Sequence, residues 1–168
     1  MSRLPPALVV GWREWVHLPN LGVRMVKAKV DTGARTSSLH AENVRIQRNG
    51  LLHTVVFTVH PRQRSRVMAV EAEAPLVDER WVRSSNGTQE LRPVIMTTID
   101  VGGHEWEVEV TLTRRDVMGF RMLLGRQAMR GHAMVDPARS FLTRKTKKKK
   151  KRVPSASLRA ASKLPKAR

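Results

Sequence analysis

An aspartate followed by a threonine and a glycine, Asp31-Thr32-Gly33, is the stretch of this chain best suited to chemistry. A carboxylate can take a proton from water as a general base or give one up as a general acid. A glycine two residues on lets backbone approach closely. Alone, the triplet reads first as a turn after a strand, since Asp and Gly both form turns. Far downstream, Met122-Leu123-Leu124-Gly125-Arg126 is a short apolar run ending in glycine and arginine, and it reads as the structural partner of the first stretch.

Positioning such a carboxylate calls for strands. Residues 23–30 supply one, with Val26, Ala28 and Val30 on one face, Lys27 and Lys29 on the other, and Asp31 where the strand turns. Residues 7–12 form an earlier apolar strand, extended by Trp15, Val16 and Leu18, and Pro19-Asn20-Leu21-Gly22 is a turn signal. After a polar loop at 35–38, Leu39 opens an extended piece that includes Val44 and Ile46. Asn49-Gly50 is a hairpin signal, and residues 51–59 are rich in β-formers. A basic loop at 61–66 precedes alternation over 67–74. Trp81-Val82 and residues 94–101 flank the polar segment 83–93, a long hairpin with Asn86-Gly87 at its tip. Gly102-Gly103 turns the chain into 104–112, where Trp106, Val108 and Val110 alternate with Glu105, Glu107 and Glu109 on a solvated face. Residues 126–130 fit one or two helical turns closed by Gly131. Ala133-Met134-Val135 and Phe141-Leu142 read as final strands around Asp136-Pro137. Many short strands, close turns and little helical periodicity predict an all-β barrel or sandwich.

Charge divides the chain of 168 residues. Beyond residue 143 stand twelve Lys or Arg and no acid, leaving twenty basic and all fourteen acidic residues before it. We expect a folded domain at 1–142 and a disordered basic tail at 143–168. The lysine run at 147–151 suits non-specific RNA or ribosome contact as well as simple solvation, and the tail's lack of aromatics argues against base stacking. Absence of cysteine excludes disulfides, thiolate zinc sites and a cysteine nucleophile, and fits a cytoplasmic protein. No apolar run approaches the roughly 20 residues that span a bilayer, so no membrane partner is expected. The proline-broken start is too short for a signal peptide.

With these neighbours the sequence resembles the retropepsin-like aspartic proteases, over roughly residues 23–129. More narrowly, the run from Val30 through Asp31-Thr32-Gly33-Ala34-Arg35-Thr36-Ser37-Ser38-Leu39-His40-Ala41, with the later Val82-Arg83-Ser84-Ser85-Asn86-Gly87, is similar to a bacterial family labelled "ATP-dependent zinc protease". The resemblance implies a closed β-barrel with a flap hairpin and one short C-terminal helix. It implies catalytic Asp31, Thr32 and Gly33, substrate contacts at Ala34, Arg35, Ser84, Ser85, Asn86 and Gly87, and support from Leu124, Gly125 and Arg126. One carboxylate cannot both activate water and protonate a leaving group, whereas two sharing a proton can. The chain has one Asp-Thr-Gly, so the resemblance implies a homodimer with Asp31 from each subunit in the dyad.

Arg35 stands where viral retropepsins carry an acid that pairs with the arginine of the second motif, so Arg126 must find another partner. The flap is also poorer in glycine than a viral flap. Arg35, Arg83 and Arg92 read either as solvated or structural charges or as the lining of a cleft for acidic peptides, since guanidinium forks bind carboxylates. Relatives of the family are associated with an enzyme that adds glutamates to a ribosomal protein, which makes glutamate-rich chains a candidate substrate. A rival reading is a peptide-binding module of the same fold that does not cut. A second is the zinc-dependent hydrolase of the family label. There is no His-Glu-x-x-His, no cysteine pair and no phosphate-cradling glycine loop, so no cofactor is expected. Among six scattered histidines, only His40 with Glu42 makes a pair worth testing for metal. Trp12, Trp15, Trp81 and Trp106 are assigned to core packing by default, as are Met25, Met96, Met118, Met122 and Met129.

Overall fold

The computed structural model describes residues 8–62, 67–84, 86–114 and 119–143. In chain order the strands are β1 (Leu8–Gly11), β2 (Arg13–Leu18), β3 (Val23–Asp31), β4 (Ser37–His40), β5 (Glu42–Asn49) and β6 (Leu52–Val59). They continue with β7 (Val70–Arg83), β8 (Gln89–Val101), β9 (His104–Thr113) and β10 (Met122–Gly125). Helix α1 (Arg126–Met129) and β11 (Ala133–Asp136) follow.

Six strands close a barrel in the order β2-β3-β10-β4-β9-β8, with β8 returning to β2. The closing contact pairs His17 with Asp100. β7, β6 and β5 extend the sheet outward from β8, and β1 pairs with β11 in a separate parallel ribbon. The alternation read in residues 23–30 is realised: Val26, Ala28 and Val30 face the core. Val16, Leu18, Leu39, Ile99, Val110 and Met122 join them from neighbouring strands. Burying each of the Val, Leu, Ile and Met side chains stabilises the fold by about 1.5–3 kcal/mol. No helix among the described residues is long and apolar enough to cross a membrane.

Several sequence expectations are corrected. Ser37 and Ser38 are not loop: they open β4 and are buried, because β4 is enclosed between β10 and β9. The extended piece after Leu39 is two strands, broken at Ala41. The separate alternating segments before the flap are one 14-residue strand, β7. Phe141-Leu142 is not a strand, and Phe141 takes a positive φ of 55°. Trp12 and Trp81 leave the core, at 36% and 69% exposure. Most of the basic loop at 61–66, Met118 and the tail beyond 143 lie outside the described residues.

Candidate active site

Parallel pairing of β3 with β10 sets Asp31 level with Gly125. Asp31 ends its strand and folds back on the next turn. Its Oδ1 accepts hydrogen bonds from Gly33 N at 3.1 Å and Ala34 N at 3.2 Å. Oδ2 points the other way, 3.6 Å from Lys29 Nζ. The carboxylate is part-exposed, with Thr32, Gly33 and Arg35 exposed around it. One oxygen is therefore fixed by the backbone and the other is accessible to a reacting partner.

Gly125 locks the second motif onto the first. Its N–H donates to Ser37 Oγ at 3.1 Å. A Cβ at Gly125 would stand 2.5 Å from the Thr36 carbonyl oxygen, so only glycine fits. Arg126 N donates to Ala34 O at 2.8 Å and Gln127 N to Arg35 O at 3.2 Å. The Arg126 side chain, whose partner the sequence left open, donates from Nη1 to Gly33 O at 2.9 Å. Leu124 is buried behind Gly125. A cavity of about 430 Å³ opens beside this loop, between Thr36, Ser37, Gln127, Trp106 and Glu109.

This arrangement of an Asp-Thr-Gly-Ala loop clasped by a Leu-Gly-Arg strand agrees with sequence comparison. Residues 9–146 match the RimB-like family, described as retropepsin-like aspartic endopeptidase RimB. The chain belongs to this family. A protein named "Probable alpha-L-glutamate ligase" from Shewanella halifaxensis is 50% identical over 133 residues, covering 79% of this chain and 29% of its own length. One of the same name from Parasynechococcus marenigrum is 45% identical over 130 residues, covering 77% of this chain and 28% of its own. The chain thus spans less than a third of these curated relatives. A crystal structure of a Legionella pneumophila protein of unknown function (DUF785) superposes with a TM-score of 0.66 at 29% identity, over 81% of this chain and 98% of that one.

The flap of this RimB-like chain is the β7–β8 hairpin. Its tip is tight: Ser84 N donates to Thr88 O and Gly87 N to Ser84 O, each at 2.8 Å, and Ser84 Oγ is bonded to Asn86 Oδ1. Gly87 has φ 83°, which a side chain would strain. Ser85 lies outside the described residues. At the flap base Arg80 bonds both Asp78 and Glu109. The Arg80 hydrogen bond, then the Glu79 amide, holds the Asp78 carboxyl below its ordinary value. Glu109 first and Asp78 second raise the Arg80 guanidinium above its own.

Of the three arginines read as anion binders, Arg35 and Arg83 are exposed, while Arg92 is buried and bonded to Glu90 at 3.0 Å. Arg92 is thereby removed from the candidate cleft. Lys29 was missed as a neighbour of the site, although its i, i+2 spacing from Asp31 places both on one strand face. Ser37 was missed because its polarity suggested a loop. His40 and Glu42 do approach, at 3.8 Å, and His60 joins Glu42 at 3.0 Å. Among the described residues, no group of three or more His, Cys, Asp or Glu side chains has the geometry to hold a metal ion. His40, Glu42 and His60 therefore do not fit a zinc centre.

Proposed function

We propose that the chain is an aspartic peptidase whose active form is a homodimer, with Asp31 of each subunit contributing half of the dyad. The observation that carries this is the presentation of Asp31: Oδ1 is held by two backbone amides while the side chain stays open to solvent. In the dimer one Asp31 takes a proton from water as the water oxygen attacks the scissile carbonyl carbon. The other, protonated, gives its proton to the oxyanion that forms. Collapse of the tetrahedral intermediate breaks the C–N bond, and the amine leaves with a proton from the dyad. Gly33 N–H fixes the carboxylate orientation, and Arg126 braces the loop through Gly33 O. Ala34, Ser84, Ser85, Asn86 and Gly87 are the expected peptide contacts from loop and flap.

We assign acidic, glutamate-rich chains as the substrate class. Arg35 and Lys29 place cations beside Asp31, and the relatives sharing this domain are named glutamate ligases. Residues 1–142 act as the protease domain in the cytoplasm, and 143–168 as a basic tail. Cleavage profiling of a peptide library containing oligoglutamates tests the reading, with wild type beside Asp31→Asn and mass measurement by light scattering. Hydrolysis by wild type alone, from a dimer, is the expected result. Peptide binding without cleavage by either protein would make the chain a binding module. Chelator-sensitive cleavage surviving in Asp31→Asn would make it a metallohydrolase.

A further inference from the structure

One face of the barrel wall runs sideways from Asp31 without joining the core. In the β3–β10 pair Gly125 is level with Asp31, and Leu123 with Lys29. Side chains alternate along a strand, so Lys29, Asp31 and Leu123 share that face. Met122 and Leu124, on the opposite face, join the main hydrophobic cluster, which leaves Leu123 out. Leu123 stands opposite Ser38 on β4, and Ser38 beside Thr111 on β9. Across the sheet the strip therefore reads Lys29, Leu123, Ser38, Thr111.

Two polar groups of this strip are engaged. Lys29 is paired with Asp31, and Thr111 Oγ1 donates to Ser37 O at 3.1 Å. Ser38 differs. It is only 9% exposed, yet its hydroxyl has no hydrogen-bond partner among the described residues. A buried hydroxyl left unbonded costs stability, and each such group in a native fold calls for an explanation. Packing does not supply one, because Leu39 fills the core from the other face of β4 and an alanine would serve as well beside Leu123.

We propose that Ser38 reads a glutamate side chain of the substrate. Its O–H donates to a carboxylate oxygen, while the methylenes of the glutamate lie along Leu123. Neighbouring strands are about 4.8 Å apart, so a stem laid across β10 delivers its tip to β4. Aspartate, shorter by one methylene, stops short of the hydroxyl. Ser38 lies two strands away from Asp31, so it selects the substrate and takes no part in proton transfer. In a homodimer the two-fold axis repeats the subsite on each side of the scissile bond. This inference deepens the peptidase reading and rests on it.

The test compares an oligoglutamate with variants that each carry norvaline at a single position, which keeps the stem and loses the carboxylate. At one position wild type should prefer glutamate, and Ser38→Ala should cut that preference in kcat/KM about tenfold, mostly through KM. Ser38→Thr, which keeps the hydroxyl, should restore it. Ser38→Ala should melt no lower than wild type, since no protein hydrogen bond is lost. In Asp31→Asn protein the same peptides, labelled and followed by fluorescence anisotropy, should show the same loss when Ser38→Ala is added. An unchanged preference in folded Ser38→Ala would overturn the proposal. So would an equal loss on every peptide, the mark of a purely structural serine. If wild type cuts none of the peptides, the peptidase reading falls, and the Asp31→Asn binding series alone decides for or against Ser38.

Discussion

Arg126 donates from Nη1 to the carbonyl oxygen of Gly33 at 2.9 Å, joining two stretches 93 positions apart in sequence. The bond braces the loop that orients Asp31, while the main chain of Arg126 is separately anchored to Ala34 O. Arg126→Ala should therefore fold, with a stability loss of about 1 kcal/mol. Cleavage should slow about tenfold, because a loosened loop misplaces the carboxylate. Thermal melts and kcat/KM on one peptide check both expectations.

Asp31→Asn keeps an oxygen to accept from the Gly33 and Ala34 amides, so the loop should persist. Hydrolysis should fall at least about a thousandfold, since the amide cannot exchange protons with water or the leaving group. An unchanged circular dichroism spectrum with lost turnover is the expected pair of results.

Gly125→Ala is the smallest change expected to break the site. The added methyl would meet the Thr36 backbone, which cannot swing aside as a side chain could. A loss of about 3 kcal/mol is expected. Urea titration should show the midpoint shift, and peptide cleavage should fall with it.

Glu14→Gln tests the anchoring of the C-terminal segment. The carboxylate, fully buried, accepts from Gly11 N as well as from Leu142 and Thr143. An amide turns one acceptor into a donor facing donors, at a cost of about 2–3 kcal/mol. Faster hydrogen exchange at the Leu142 and Thr143 amides should accompany the lower melting temperature.

The flap base gives a pH signature. Arg80 and the Glu79 amide hold the Asp78 carboxyl below its ordinary value of 3.8. A carboxyl that ionises more readily folded than unfolded stabilises the protein above the unfolded value, and that contribution is lost as pH falls through the folded one. Asp78→Asn should melt slightly below wild type at neutral pH, and the two curves should converge under about pH 3.8. Melts taken across that range decide it.

Strand alternation made much of this fold legible. The apolar face of β3, the turn at Asn49-Gly50 and the Glu-rich face of β9 all follow from period-two patterns that sheet pairing respects. The Asp31 loop and its Gly125 partner were legible from residue type. What escaped depended on contacts distant in sequence. Ser37 is polar, yet buried so that its hydroxyl can accept from Gly125. Arg92 carries a charge that Glu90 binds locally. Trp12 and Phe141 were read as strand residues, but ring and cation contacts across β2 set their places. No local pattern encodes a left-handed phenylalanine held by a glutamate 128 positions away from its neighbour Leu142.

Mechanically, the barrel is a sleeve with one seam. Its other joints are multi-residue ladders, but β2 meets β8 through the single pairing of His17 with Asp100. Under load or heat this edge should part first. Parting there would splay β2 away from β8 as a flange, while the β3–β10 ladder keeps Asp31 level with Gly125. The slit would admit solvent onto Leu18 and Ile99, which are otherwise dry. The β2–β3 pair thus carries the seam at its Val23 end and the Asp31 carboxylate at the other.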